Sequence, residues 1–349
     1  MRINAFDYYR AIAILFIVSG HSFNPATVTT FSEKVLANLV TGGTSLFVFI
    51  SGFFFHYVFF QKFNYGSFLL KKIKIVFLPY LLLSTLGFLL LAFYFNQLPY
   101  LDLFIKGKPT DWQQYIQLYF QYLWSGRLFI AYWYIPFIMI MFALSPVFMR
   151  LIELPRPIQL IIILVFYCVS SITLRPLHNL SPIHSAIYFL PVYMMGIVVS
   201  INREKVLQVL RGKSIFLGII VLILAILQVV VYDIIGSFHK ESIVEFEKID
   251  IMIWQKMVMC LFFVSVLDKL ENKQIPFLKY IAETSFAIFF IHPWVFFFYG
   301  YYAIYQPLSF LSSAMFTVFN SVSAVVISLI IAKVIKLIFG RNSRSIIGY

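Results

Sequence analysis

Charge is scarce in this chain: 12% of its 349 residues are charged, against 61% that are hydrophobic. An ordinary soluble domain has about a quarter charged and roughly half apolar residues. One soluble core cannot hide that much apolar surface, so lipid is expected to cover it. Cysteine is nearly absent as well. Cys168 and Cys260 both lie inside apolar stretches, where they read as small packing residues, and neither zinc nor disulfide chemistry has support. No long polar block is left for a second domain, so residues 1–349 read as a single transmembrane unit with a cytoplasmic tail at 339–349. The first apolar stretch shows no small-residue cleavage site and reads as a retained helix. Acidic residues number 14 against 27 lysines and arginines, giving a net charge of +13. In a soluble protein that excess would suggest nucleic acid. Here no nucleic acid is expected, because membrane topology accounts for the charge.

What is abundant is the long apolar run. A span needs about 20 mainly apolar residues, and such stretches occur near 6–24, 40–60, 75–95, 130–149, 158–175, 184–200, 214–233, 251–267, 280–301 and 311–338. The predicted fold class is therefore all-α, a polytopic membrane protein of about ten transmembrane helices. Between them, 113–124 (QQYIQLYFQYLW) is too polar to span and too aromatic for a linker, which suits an interfacial or re-entrant helix. Lysines and arginines concentrate on alternate loops, in clusters such as Lys71, Lys72 and Lys74, or Arg203, Lys205, Arg211 and Lys213. The opposite side holds fewer: Lys34, Lys106, Lys108, Arg127, Arg175, Lys240, Lys248 and Lys256. That bias predicts cytoplasmic N- and C-termini.

Ionisable residues within a span are costly and point to function. The first helix carries three, Asp7, Arg10 and His21. At 100° per residue, Arg10 and His21 face nearly the same way, and Asp7 can pair with Arg10 three residues on. A rise of 1.5 Å per residue separates Arg10 from His21 by about 16 Å along the helix. The bland alternative is an interfacial Asp7–Arg10 pair with His21 bonded to a neighbouring carbonyl. His292 sits deep in the ninth span beside Pro293, which would kink the helix and free a carbonyl. Gly42, Gly43, Ser45, Ser51 and Gly52 allow close helix approach. No pair of histidines has metal-ligand spacing on one helix, so no metal is expected. Lys71, Lys72 and Lys74, ahead of the third span, suit either anionic headgroups or the phosphates of a cofactor such as coenzyme A, and composition does not separate the two.

These pieces resemble the acyltransferase-3 family of integral membrane O-acyltransferases. DYYRAIAILFIVSGH carries Arg10 and His21 at the spacing of that family's arginine and histidine. SLFVFISGFFF around Ser51 and Gly52, YWYIPFIMIMFALSP with Trp133 and Pro146, TSFAIFFIHPW around His292, and the tail GRNSRSIIGY are similar to further blocks, in the same order. One departure is Lys71-x-x-Lys74, where members often carry an arginine pair; lysine keeps the charge and loses the bidentate fork.

The resemblance implies acetyl-CoA as a cytoplasmic donor. It also implies a glycan or lipid-linked saccharide acceptor, in the bacterial cytoplasmic (inner) membrane, with polysaccharide-assembly proteins as partners. On that reading His21 is the general base, Arg10 grips or orients the donor, and Asp7 holds Arg10. Lys71, Lys72 and Lys74 assist in cofactor binding, while His292, Trp133 and Ser51 line the substrate cavity. The competing expectation is a sugar transporter or flippase using the same polar stripe, although no inverted repeat of the kind common in transporters is visible.

Overall fold

The computed structural model describes residues 3–23, 28–243, 248–304 and 312–349. Among them, eight helices are long and apolar enough to cross a membrane, or nine if one bent pair is a single span. The protein is a helical polytopic membrane protein. Helix α1 (Asn4–Ser22) has span length but is not among the eight, and it is the helix that carries Asp7, Arg10 and His21. The expected count of about ten is thus reached only by adding this polar helix to the bent pair.

Two short helices, α2 (Phe31–Val40) and α3 (Thr44–Phe54), share the second span. They are separated at Thr41–Gly43, and the second continues through a π segment, Phe55–Phe59. The third span starts earlier than the hydropathy pattern predicts. Asn64 accepts a hydrogen bond from Ser67 N at 2.9 Å and caps α4 (Tyr65–Lys72), which runs through a π segment, Ile73–Phe77, into α5 (Leu78–Leu89). Lys71, Lys72 and Lys74 therefore lie within this helical span and not ahead of it. Helix α6 (Trp112–Ser125) is short of span length; it exposes Trp112, Ile116, Phe120 and Trp124 and buries Leu118 and Tyr122. That one-sided pattern suits an interfacial helix. The fourth span is broken: α7 (Tyr134–Ala143) and α8 (Ser145–Glu153) meet at 55°, next to Pro146.

The remaining helices are α9 (Arg156–Thr173), α10 (Pro182–Ile201), the short α11 (Arg203–Leu210), α12 (Ser214–Tyr232), α13 (Ile251–Asp268), α14 (Pro276–Tyr301), α15 (Ser313–Phe339) and the terminal α16 (Ser343–Ile347). Helix α10 is almost wholly enclosed, whereas α12 and α15 show broad apolar faces such as Ile215, Phe216, Val318 and Leu337. Such faces have no aqueous partner and suit lipid.

Glycine sets the closest approach in the core. A Cβ on Gly52 would run into the carbonyl of Tyr193, and one on Gly196 into the carbonyl of Phe49. Helices α3 and α10 therefore touch backbone to backbone, as the small residues of the second span predict. Helix α1 is tied to α13 by Tyr9, whose hydroxyl donates to Cys260 O at 3.2 Å. At its start, Tyr8 donates to Lys273 O at 2.6 Å and Ala5 N donates to the Glu271 carboxylate at 2.7 Å. Glu271 thus satisfies one of the amides that a helix start leaves open. Lys256, counted among the charges of the less basic side, is buried within α13 and donates to Asn38 O and Leu39 O at 3.0 and 3.1 Å. These are carbonyls at the end of α2, so the cation caps that interrupted helix.

Candidate active site

Helix α1 delivers His21 one residue before its end, and the adjacent α14 delivers His292. The His21 Nδ1 and His292 Nε2 atoms lie 3.1 Å apart, with the rings inclined by only 12°. His292 Nδ1 is 2.7 Å from the carbonyl of Ile288. A carbonyl can only accept, so Nδ1 of His292 is the donor there. In the neutral ring its Nε2 must then accept, and His21 Nδ1 donates to it. The proton chain leaves Nε2 of His21 as the basic atom.

Pro293 would deprive α14 of one amide donor, yet the helix continues through it from Pro276 to Tyr301. Around it, the Tyr132 hydroxyl donates to Phe290 O at 2.8 Å and accepts from Trp294 Nε1 at 3.0 Å. These bonds fix the turn of α14 that holds His292.

His21 forms part of the wall of a cavity of about 240 Å³. The interrupted helix contributes Thr41 to Thr44, and the turn before α7 contributes Arg127 and Trp133. A two-residue parallel pairing, β1 (Arg175–Pro176) with β2 (His239–Lys240), brings in Arg175 and His239. The turn exists because Gly126 ends α6 at φ +68°, and a Cβ there would come within 2.5 Å of Trp133 Cα. Arg175 stacks its guanidinium 4.8 Å from the Trp133 ring centre and donates to Asn179 Oδ1 at 2.8 Å. Arg127 lies 4.1 Å from the Tyr100 ring centre and is 6% exposed.

His292, expected to line the cavity, is fully buried and touches the site through its contact with His21, whereas Trp133 is gathered with His21 on the cavity wall. Ser51 is not: its hydroxyl donates to Phe47 O at 2.9 Å and meets the Tyr134 hydroxyl at 3.2 Å, away from the cavity wall. Arg10 and Asp7 form the expected ion pair at 2.9 Å, well below the cavity on the same helix. Arg10 also sits 5.8 Å from the Phe54 ring centre. Lys71 and Lys72 lie over Phe59 at 5.2 and 5.1 Å, so they approach the same aromatic run at the end of the second span. Lys74 lies in the adjoining π segment.

Sequence reading passed over Arg127 and Arg175, which it counted only as sparse charges on the less basic side. That position was itself the signal. A cation on the side that membrane insertion keeps poor in cations calls for a separate reason.

The acyltransferase-3 family, described as an acyltransferase domain, matches residues 3–333. The chain belongs to that family, and the match extends from the start of α1 into α15. Comparisons with curated proteins and with solved structures return no match. Family membership supports a membrane acyltransferase and gives no support to a transporter.

Proposed function

We propose that this protein is a membrane O-acetyltransferase that moves an acetyl group from acetyl-CoA to a hydroxyl of a cell-surface glycan or its lipid-linked precursor. The observation that carries the reading is His21, held by the buried His292 at the wall of a polar cavity, in a chain of an acyltransferase family. Acyl transfer to a sugar hydroxyl needs a base at the nucleophile. His21 Nε2 takes the hydroxyl proton as the oxygen attacks the thioester carbonyl. The His21 imidazolium so formed keeps its Nδ1–H on His292, which spreads the charge without a carboxylate. The tetrahedral intermediate then collapses, the C–S bond breaks, and the departing CoA thiolate takes the proton from His21 Nε2, which restores the neutral base.

Arg10 and the Lys71, Lys72 and Lys74 group would hold the phosphates of the donor at the opposite end of the bundle, with Asp7 fixing Arg10. In this arrangement both termini face the cytoplasm of a bacterial cell, the protein resides in the inner membrane, and the His21 cavity opens toward the acceptor. Direct attack by the sugar is the favoured route, with His21 as base, and an acyl-histidine is the less favoured variant. The test is genetic. In a host deleted for the gene, wild type should restore ester-linked acetyl on purified surface polysaccharide, read by NMR, and His21→Ala at equal protein level should not. Full acetylation by His21→Ala would remove the base assignment.

A further inference from the structure

The cavity that holds His21 is lined by Arg127, Arg175 and two histidines, with no aspartate or glutamate among the described residues that line it. Burying one guanidinium is costly unless it is paired, and burying two side by side adds repulsion. Burial and the neighbouring Arg127 both weigh against the charged form of Arg175, while Tyr188 and Asp250 weigh in its favour. Asp250 is committed elsewhere: one oxygen accepts from the Tyr188 hydroxyl at 2.6 Å and the other from Met252 N at 2.9 Å.

Both arginines keep a buried Nε with no hydrogen-bond partner among the described residues, and Arg127 is more than nine-tenths buried. The start of α3 adds its own polarity. Gly43 supplies no capping side chain, and the first helical residue, Thr44, lines the cavity. Two guanidiniums with donors to spare and a positive helix end surround one space beside the basic histidine. That environment fits an oxyanion.

We infer that Arg127 and Arg175 form an anion subsite, so that the acceptor is an acidic saccharide whose carboxylate or phosphate docks there and brings a neighbouring hydroxyl to His21. The inference rests on the acyl-transfer reading, which it deepens by naming the acceptor's chemical class. The cavity is smaller than the roughly 300–1,000 Å³ of drug-sized ligand sites, which suits one sugar ring at a time. Planar forks in place of lysines suit bidentate recognition of carboxylate or phosphate.

The test uses the purified full-length protein in lipid nanodiscs, acetyl-CoA as donor, and methyl β-glucuronide, glucose 1-phosphate and methyl β-glucoside as acceptors. An acidic acceptor should exceed the neutral one at least about tenfold in kcat/KM, as a charge-assisted hydrogen bond implies, and the better of the two identifies carboxylate or phosphate. Arg127→Gln and Arg175→Gln should raise the acceptor KM about tenfold or more and leave the acetyl-CoA KM in place, with Arg127→Lys retaining part of the preference; melting temperatures show that each variant is folded. Equal use of the neutral acceptor overturns the inference. So does a rise in acetyl-CoA KM alone, which would assign the arginines to the donor's phosphates. If no acceptor is acetylated, titration calorimetry with the glucuronide, glucose 1-phosphate and inorganic sulfate separates the two claims. Binding that Arg127→Gln abolishes upholds the anion subsite and discards the reaction. Absence of binding discards the subsite.

Discussion

His21 and His292 lie 271 positions apart in the chain and share a 3.1 Å contact between ring nitrogens. The Ile288 carbonyl fixes one proton of His292 and so, through the pair, the tautomer of His21. A neutral imidazole orients its partner as a carboxylate does in a Ser-His-Asp triad, but it stabilises the imidazolium less. On the proposed acyl-transfer reading, His292 is a positioning residue. His292→Ala should lower kcat by about 10–100-fold, the usual cost of losing such an orienting partner, with little change in the acetyl-CoA KM. His292→Gln, whose amide oxygen can accept from His21 Nδ1, should recover part of the loss. Equal loss in both variants would mean that packing, and not the hydrogen bond, is what His292 provides.

His21 itself should matter more. Removing a general base typically costs about 10²–10⁴ in rate, so His21→Ala and His21→Gln should both fall in that range in CoA-release assays, with the protein still folded. A loss confined to KM would instead make His21 a binding group.

The reach of the sequence differed from place to place. The polar stripe of α1 was legible because three ionisable residues in an apolar helix have few explanations, and the Asp7–Arg10 pair follows from their spacing. The arginine-lined counterpart was not legible. Arg127 and Arg175 meet His21 only because Gly126 turns the chain after α6 and β1 pairs with β2, and neither event leaves a periodic pattern. Lys71, Lys72 and Lys74 were placed ahead of the third span because polar residues lower a hydropathy average, whereas the Asn64 cap starts the helix ten residues before Lys74.

Arg10 is expected to act at the donor. Arg10→Lys keeps the charge but loses the fork, so the acetyl-CoA KM should rise while acceptor KM values stay level. Asp7→Asn should move the same constant in the same direction, because the 2.9 Å ion pair holds the guanidinium. An effect on acceptor KM would place Arg10 outside the donor site.

Asp250 gives a pH signature. Burial raises its pKa to about 6, with Tyr188, Met252 N, Arg175 and Ser237 opposing the rise. A group whose folded pKa is raised contributes stability fully below its unfolded pKa, near 3.9, and loses it as pH climbs through about 6. At pH 7.5 the carboxylate is thus ionised at a cost to folding. Asp250→Asn should melt higher than wild type at pH 7.5, and the gap should close as pH falls below 6. A gap that is constant from pH 5 to 8 would show that Asp250 does not titrate in this window.

The close seating of α3 on α10, Gly52 against the Tyr193 carbonyl and Gly196 against the Phe49 carbonyl, supports the whole site, since α3 presents its first turn to the cavity only while seated on α10. A side chain on Gly52 has no room, because the Tyr193 carbonyl occupies the place of its Cβ. The obstacle is backbone, which cannot rotate aside as a side-chain tip can. Gly52→Ala should therefore be destabilising by about 1–3 kcal/mol, the usual cost of overpacking, and Gly52→Leu should prevent accumulation of folded protein. Size-exclusion profiles and thermal melts in detergent report both. The Ser51 side chain, one residue away, makes local bonds to Phe47 O and the Tyr134 hydroxyl, so Ser51→Ala should leave folding and profile near wild type. If Gly52→Ala melted like Ser51→Ala, the backbone contact would not be limiting, and the cavity's shape would have to depend on α1 and α14 alone.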